Sequence, residues 1–277
     1  MCEQTLEVEL VVKEVIQIRK LQPRIGARKL KVMLQEFLMR NEIKMGRDAL
    51  FDVLSYHGLL IRRRRRKPIT TFSGHWLRKY DNLIEGFYPV APDQLWVSDI
   101  TYIEVGSAFA YLSLITDAYS HKIVGFHLSE RLTVEGCIYA LKTALKQPIT
   151  EKGLIHHSDR GSQYCSSEYV ELLTQNHIHI SMTQTSDPRE NAIAERVNGI
   201  LKQEFLLPHY VDITHARIHV TQSVSVYNHL RPHSSCNMLT PEQAHCKNGQ
   251  LKKHWKNYYL KKGGHHEIGL YRHKQKS

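Results

Sequence analysis

The sequence predicts an α/β domain preceded by a small all-helical unit. Three observations carry this expectation. Hydrophobic spacing is helical up to about residue 60, alternates from residue 94, and then switches repeatedly between the two periods. The charge balance changes sign between the same regions. Six consecutive cations, Arg62, Arg63, Arg64, Arg65, Arg66 and Lys67, stand between them.

In order along the chain, Leu10, Val11, Val15, Ile18 and Leu21 place a helix over 7–21. Pro23 and Gly26 interrupt it. A second helix fits 27–38, with Leu30, Met33, Leu34 and Phe37 on one face, and a third fits 46–57 through Leu50, Phe51 and Leu54. Three short helices with basic positions Arg28, Lys29, Lys31 and Arg47 fit a helix-turn-helix DNA-binding domain, 1–61. A generic helical subdomain would show the same periodicity; the basic positions favour DNA. Residues 62–85 read as a basic linker, since six adjacent cations cannot pack together and suit phosphates. Residues 94–104 alternate, with Trp96, Ser98, Ile100 and Tyr102 on one face and Val97, Asp99, Thr101 and Ile103 on the other. Strands over 109–116 and 122–128 complete an antiparallel meander. Then come a helix over 133–147, a short buried strand at 154–157, a helix at 167–175 and a strand at 178–182. A loop at 184–189 precedes helices at 190–206 and 212–229, the latter capped by Asp212 or Thr214. The order βββαβαβα makes 86–246 a mixed sheet of five strands covered by helices, with a basic tail at 247–277.

Residues 1–80 carry 18 Lys/Arg against 8 Asp/Glu, residues 81–246 carry 11 against 18, and residues 247–277 carry 9 against 1. Two basic arms around an acidic middle suit a polyanionic partner, provided a bound metal offsets the acidic part. The tail also mixes Trp255, Tyr258, Tyr259 and Tyr271 with its cations, which fits nucleic acid or equally a frayed basic end. Five cysteines without a CxxC pair argue against a disulfide framework or a zinc knuckle, and the pairs His156-His157 and His265-His266 lack zinc spacing. No run approaches a membrane span, and the first twenty residues do not form a signal peptide, so a cytoplasmic protein is expected.

Three acids are hard to explain as surface decoration. Asp99 interrupts an apolar, aromatic strand, where Asp is disfavoured. Asp159 directly follows a strand in HHSDRGSQY, at the carboxyl end where ligand crevices form. Glu195 lies in the helix ENAIAERVNGILKQE, separated from Asp159 by 35 residues, with Lys202 two turns further on the same face. Oxygen ligands from distant positions suit Mg²⁺, and two such ions can activate an attacking oxygen and stabilise a leaving 3′ oxygen at phosphorus. Asp99 is the candidate for bridging both. Glu190 is the competing third acid, at a spacing of 30. Asn191 could orient Glu195, touch DNA or cap the helix; Arg160 gives backbone support or DNA contact; Arg231 is mostly structural, with a phosphate contact as the other option.

The segments LWVSDITYI, YLSLITDAYSHKIVGFHLS, HHSDRGSQYCSSEY, SMTQTSDPRENAIAERVNGILKQE and YNHLRPHSSCNMLTPEQ together resemble the catalytic protein of the insertion sequence 3 family of bacterial transposases, within the retroviral-integrase-like D-D-35-E superfamily. QPRIGARKL and GRDALFDVLSYHGLLIRRRRR resemble that family's N-terminal helix-turn-helix region. The resemblance implies an RNase H-like catalytic core, dependence on Mg²⁺ (with Mn²⁺ as substitute, two ions per site), and cleavage and strand transfer at the ends of an insertion sequence without a covalent protein–DNA intermediate. It makes Asp99, Asp159 and Glu195 the catalytic, metal-holding residues and Lys202 a DNA contact near the terminal nucleotides. It implies DNA partners (terminal inverted repeats and target), at least a dimer to synapse two ends, and a product of an upstream frame, often fused to this one. A nuclease that only hydrolyses, or a non-catalytic DNA-binding regulator, are the alternatives. Departures are His121 where Arg is common and a loop, Ser186 to Asn191, in which many members have Gly and Asp-Asn.

Overall fold

The computed structural model describes residues 2–61, 76–149, 153–185 and 188–254. The cationic run from Arg62 to Lys67, the loop positions Ser186 and Asp187, and the tail from Trp255 onward lie outside the described residues.

The N-terminal unit contains four helices rather than three: α1 (Cys2–Leu21), α2 (Ala27–Met33), α3 (Gln35–Arg40) and α4 (Arg47–Tyr56). The helix expected over 27–38 is interrupted at Leu34. The Leu34 N–H still donates to Leu30 O, and the Leu38 N–H to Leu34 O, both at 2.8 Å, so helical bonding runs through the break. Val11, Val15, Ile25, Leu30, Leu34, Leu38, Leu50 and Leu54 close a core of their own. Each fully buried Leu or Ile there contributes about 2 kcal/mol.

The second unit is an RNase H-like α/β layer structure. Five strands, β1 (Leu95–Val105), β2 (Ala108–Asp117), β3 (Ile123–Ser129), β4 (Ile155–Ser158) and β5 (His179–Met182), lie in the order β3-β2-β1-β4-β5. β1–β2 and β2–β3 are antiparallel, whereas β1–β4 and β4–β5 are parallel. β1 is therefore central and mixed. Helices α5 (Val134–Ala144) and α6 (Ser167–Gln175) cover one face, where Trp96, Ile115, Ala140, Leu141, Tyr169 and Leu173 pack. A Cβ on Gly125 of β3 would fall 2.2 Å from Ala140 O, so only glycine allows α5 to sit this close. Helices α7 (Ala192–Ile200) and α8 (Ile213–Leu230) cover the other face through Val197, Ile200, Val220 and Val224. Ile103 belongs to this second core, and Val97 packs with Ala194 of α7. The odd-numbered face of β1, which carries Asp99 and Thr101, thus looks toward α7.

Three local findings differ from the sequence expectation. The helix expected over 190–206 is a 3₁₀ turn (Pro188–Asn191), then α7, then a π-helical turn (Leu201–Phe205). A short α9 (Pro241–His245), closed by a capping box between Thr240 and Gln243, is an addition. It brings His245 Nδ1 to 3.0 Å from Ser120 Oγ, beside buried Asp117. Residues 76–85, expected within the linker, pack against the sheet: Leu77, Tyr80 and Ile84 join its cores, the Met182 N–H donates to Asp81 O, and the Leu83 N–H to Ser181 Oγ. The apolar side chains among the charges account for that docking. Among the described residues no helix is long and apolar enough to cross a membrane.

Candidate active site

The site grows out of the parallel pairing of β1 with β4. Leu95, Trp96 and Val97 face Ile155, His156 and His157 in register. Asp159 directly follows the end of β4 at Ser158, near enough to Asp99 of β1 for its charge to act on it. α7 lies over β1 and carries Glu195 on its exposed side. Asp99 registers both neighbours: its carboxyl is pushed up to about 7, by burial first, then by the Asp159 charge and, to a lesser degree, by Glu195. Hydrogen bonds from Asn198 and from the Ile100 N–H work in the opposite direction.

Asn198, which sequence reasoning missed, is the closest partner of Asp99. It is buried on α7, one turn after Glu195, and its Nδ2 donates to Asp99 Oδ2 at 2.7 Å. Its position in the glutamate's helix was the available signal. Asn191 sits at the N-cap of α7 but makes no capping bond; its Nδ2 donates to Ser98 O at 2.8 Å, next to Asp99. Among the described residues the buried Oδ1 atoms of Asn198 and Asn191 have no hydrogen-bond partner. Lys202 lies in the π turn, and its Nζ donates to Thr101 Oγ1 at 3.0 Å, on the Asp99 face of β1. Burial lowers its pKa, while Asp99 and Glu104 raise it. π turns insert an extra residue into a helix and occur often at functional sites.

Glu190 has a different occupation. Its carboxylate accepts from the N–H groups of Gln184 and Thr185 and from Thr185 Oγ1, which ties down the loop before α7. Asp159 Oδ1 accepts from the Gly161 N–H at 3.0 Å, and Arg160 donates to Gln184 Oε1 at 2.7 Å. The two neighbouring histidines of β4 are buried, one on each face of the sheet. His156 Nε2 meets Ser98 Oγ at 2.7 Å and Tyr169 OH at 3.0 Å, and His157 Nδ1 meets Ser181 Oγ at 2.8 Å. Burial drives these imidazoles down to about 3 and about 4.

The candidate DNA contacts of the helical unit divide. Arg28 and Arg47 are exposed, Arg47 pairing with Asp48 at 2.8 Å. Lys29 is turned inward to Glu204 at 3.4 Å with 21% of its side chain exposed. Arg231 is 1% exposed and held by Glu204, which leaves no surface for a phosphate.

Among the described residues no three His, Cys, Asp or Glu side chains are gathered closely enough to hold a metal as they stand. The donor chemistry nonetheless fits a hard divalent cation. The donors are carboxylate oxygens, their like charges raise Asp99, and an orphaned amide oxygen lies beside them.

Two family models, each described as integrase core domain, match residues 89–188 and 176–241. An insertion element IS600 protein of 31 kDa from Shigella sonnei is 36% identical over 75% of this chain and 78% of its own length. Transposase InsF for insertion sequence IS3A of Escherichia coli K12 is 32% identical over 70% of this chain and 69% of its own. The magnesium complex of the HTLV-2 integrase catalytic core domain aligns with 57% of this chain and 99% of that one, at 18% identity and a TM-score of 0.45.

Proposed function

The chain belongs to the insertion sequence 3 family of transposases, with an integrase core, and from that premise we propose that Asp99, Asp159 and Glu195 hold two Mg²⁺ ions for cleavage and strand transfer at the ends of its element. The single observation that carries this reading is that Asp99 on β1 feels the charges of both Asp159, just past the end of the parallel neighbour β4, and Glu195 on α7. When bound, the ions supply activation of the attacking oxygen and charge stabilisation at the leaving 3′ oxygen. Asn198 and the Ile100 N–H hold the two oxygens of the Asp99 carboxylate at 2.7 and 2.9 Å and so fix the orientation in which it would serve a cation. Asn191 anchors the start of α7 to β1 next to that aspartate. Lys202, held by Thr101, takes a phosphate near the cut end. Water attacks first and a 3′-OH second, each directly at phosphorus.

DNA is held by Arg28, Arg47 and the cations from Arg62 to Lys67, since a net-negative core repels the backbone without them. The same reading divides the chain into a helix-turn-helix domain, basic linker, core and tail. It assigns Mn²⁺ as a working substitute, a dimer as the smallest synaptic unit, the upstream-frame product as a partner and the cytoplasm as the place of action. The test is Mg²⁺-dependent cleavage of the element's terminal repeat, with and without the upstream product, followed by joining of pre-cut ends. Full activity in Asp99→Asn would overturn the assignment, and cutting without joining would make the enzyme a hydrolase.

A further inference from the structure

We propose that Lys29, Glu204 and Arg231 form an interdomain clasp that holds the helical unit in register with the cutting helix, making Lys29 and Glu204 positioning residues. This inference rests on the reaction proposed above. Glu204 lies in the π turn that continues α7, two residues after Lys202 and nine after Glu195. Its carboxylate is gripped from two directions. Arg231 approaches from the end of α8, with Nε donating to Oε2 at 2.8 Å and NH2 to Oε1 at 2.7 Å, a bidentate pair. Lys29 arrives from α2 of the helical unit, with Nζ 3.4 Å from Oε1. The Glu204 backbone also takes part, its carbonyl accepting from the Arg24 N–H at 3.2 Å. Beside it, Gln22 Nε2 donates to Leu230 O at 3.4 Å.

The placement gives these bonds their meaning. Glu195, Lys202 and Glu204 ride on one continuous helical body, so whatever holds Glu204 sets where that body stands relative to the helical unit. Arg28 is the chain neighbour of Lys29 and points to solvent. A duplex gripped by the exposed cations of α2 and α4 is thereby fixed in position relative to the carboxylates. Lys29 gives up hydration for this: burial lowers its pKa to about 8 despite the attraction of Glu204. A phosphate contact would instead keep its ammonium in water until DNA arrived.

The test uses the full chain with Mg²⁺ and two substrates: a duplex with the whole terminal repeat, and a cut-end duplex too short for the helical unit to reach. Lys29→Met leaves the Glu204–Arg231 pair intact. It is expected to process the short duplex like the unmodified protein. On the whole repeat its kcat falls roughly 10- to 100-fold, the scale of a misplaced substrate, with the salt dependence of binding unchanged. Lys29→Arg restores the rate. Glu204→Gln gives the same substrate-dependent loss where it folds, and Lys29→Met carries the test where it does not. A salt slope reduced by about one in Lys29→Met would show a lost phosphate contact and overturn the clasp. Equal losses on both substrates, or no loss on either, overturn it too. Absence of cutting by the unmodified protein on either substrate is a different result: it removes the reading of the reaction itself, and the clasp with it.

Discussion

Glu195 and Glu204 stand nine positions apart on one helical stretch and in opposite electrostatic surroundings. Glu195 lies exposed beside two other carboxylates, and the Asp99 group among them is raised to about 7. Glu204 is largely buried between Arg231 and Lys29, whose bonds and charges hold it below its ordinary range against the opposing effect of burial. Around Glu195 carboxylates of like charge gather, which raises Asp99 and favours a cation. Around Glu204 opposite charges are matched, which gives order and leaves nothing for a ligand. The difference separates the part of the helix proposed to react from the part that is architecture.

The largest effect that would break this contrast comes from Asp99→Asn. We expect cleavage and joining to fall by about 10³-fold or more, the scale of losing a group that stabilises transition-state charge. The same substitution removes a buried like charge, so the melting temperature of the metal-free protein is expected to hold or rise. A melting temperature that falls with activity would place Asp99 in the scaffold instead. Next is Glu204→Gln, which strands Arg231 and is expected to lower unfolding free energy by about 3 kcal/mol in urea titrations.

The pH dependence of that loss sharpens the contrast. Because the folded pKa of Glu204 is depressed, its stabilisation is complete above the unfolded value of about 4.3. It disappears as pH falls through the lower folded value. The stability gap between the unmodified protein and Glu204→Gln should be flat from pH 5 to 7 and shrink steadily below pH 4; a constant gap at pH 3 would break the assignment. Smaller again is Asn198→Ala, which removes a hydrogen bond to a carboxylate at 2.7 Å, worth about 2 kcal/mol. Activity should drop roughly 30-fold, the equivalent on the rate scale, and Asn198→Asp should be worse because it adds a charge of the same sign. The smallest effect is expected from Arg40→Ala in the exposed pair with Glu36, within about 0.5 kcal/mol by thermal melting.

Much of this was legible in the residues. The alternation across 94–104 put Asp99 and Thr101 on a shared face, opposite Trp96 and Ser98, and the sheet keeps that division. The strand and helix order followed from period and turn residues, because burial on one face enforces both. What stayed hidden depends on contacts between distant segments. Lys29 reads as a DNA-facing cation because nothing local indicates that Glu204, 175 residues away, turns it inward. Asn198 is a plain helix residue until β1 lies beneath it. The π turn also has no local signature: LKQEF is an ordinary helical pentad whose extra residue appears only when Phe205 and Lys202 must both meet the sheet side. Leu77, Tyr80 and Ile84 were obscured by the cationic run before them.

The parallel pairing of β1 with β4 has a consequence in time. Antiparallel neighbours such as β1 and β2 can zip up as soon as a hairpin is made, but Asp99 and Asp159 meet only through a long-range contact, and such contacts form late. During synthesis the helical unit emerges before the sheet, with a hydrophobic cluster of its own. The segment bearing Glu204 follows on the order of ten seconds or more later, at ordinary elongation rates. Until then the nascent chain carries the cations proposed to hold DNA and lacks the site proposed to cut it. A transposase growing near its own gene could therefore settle on a nearby end before it is able to cut it, which would favour the copy from which it was made.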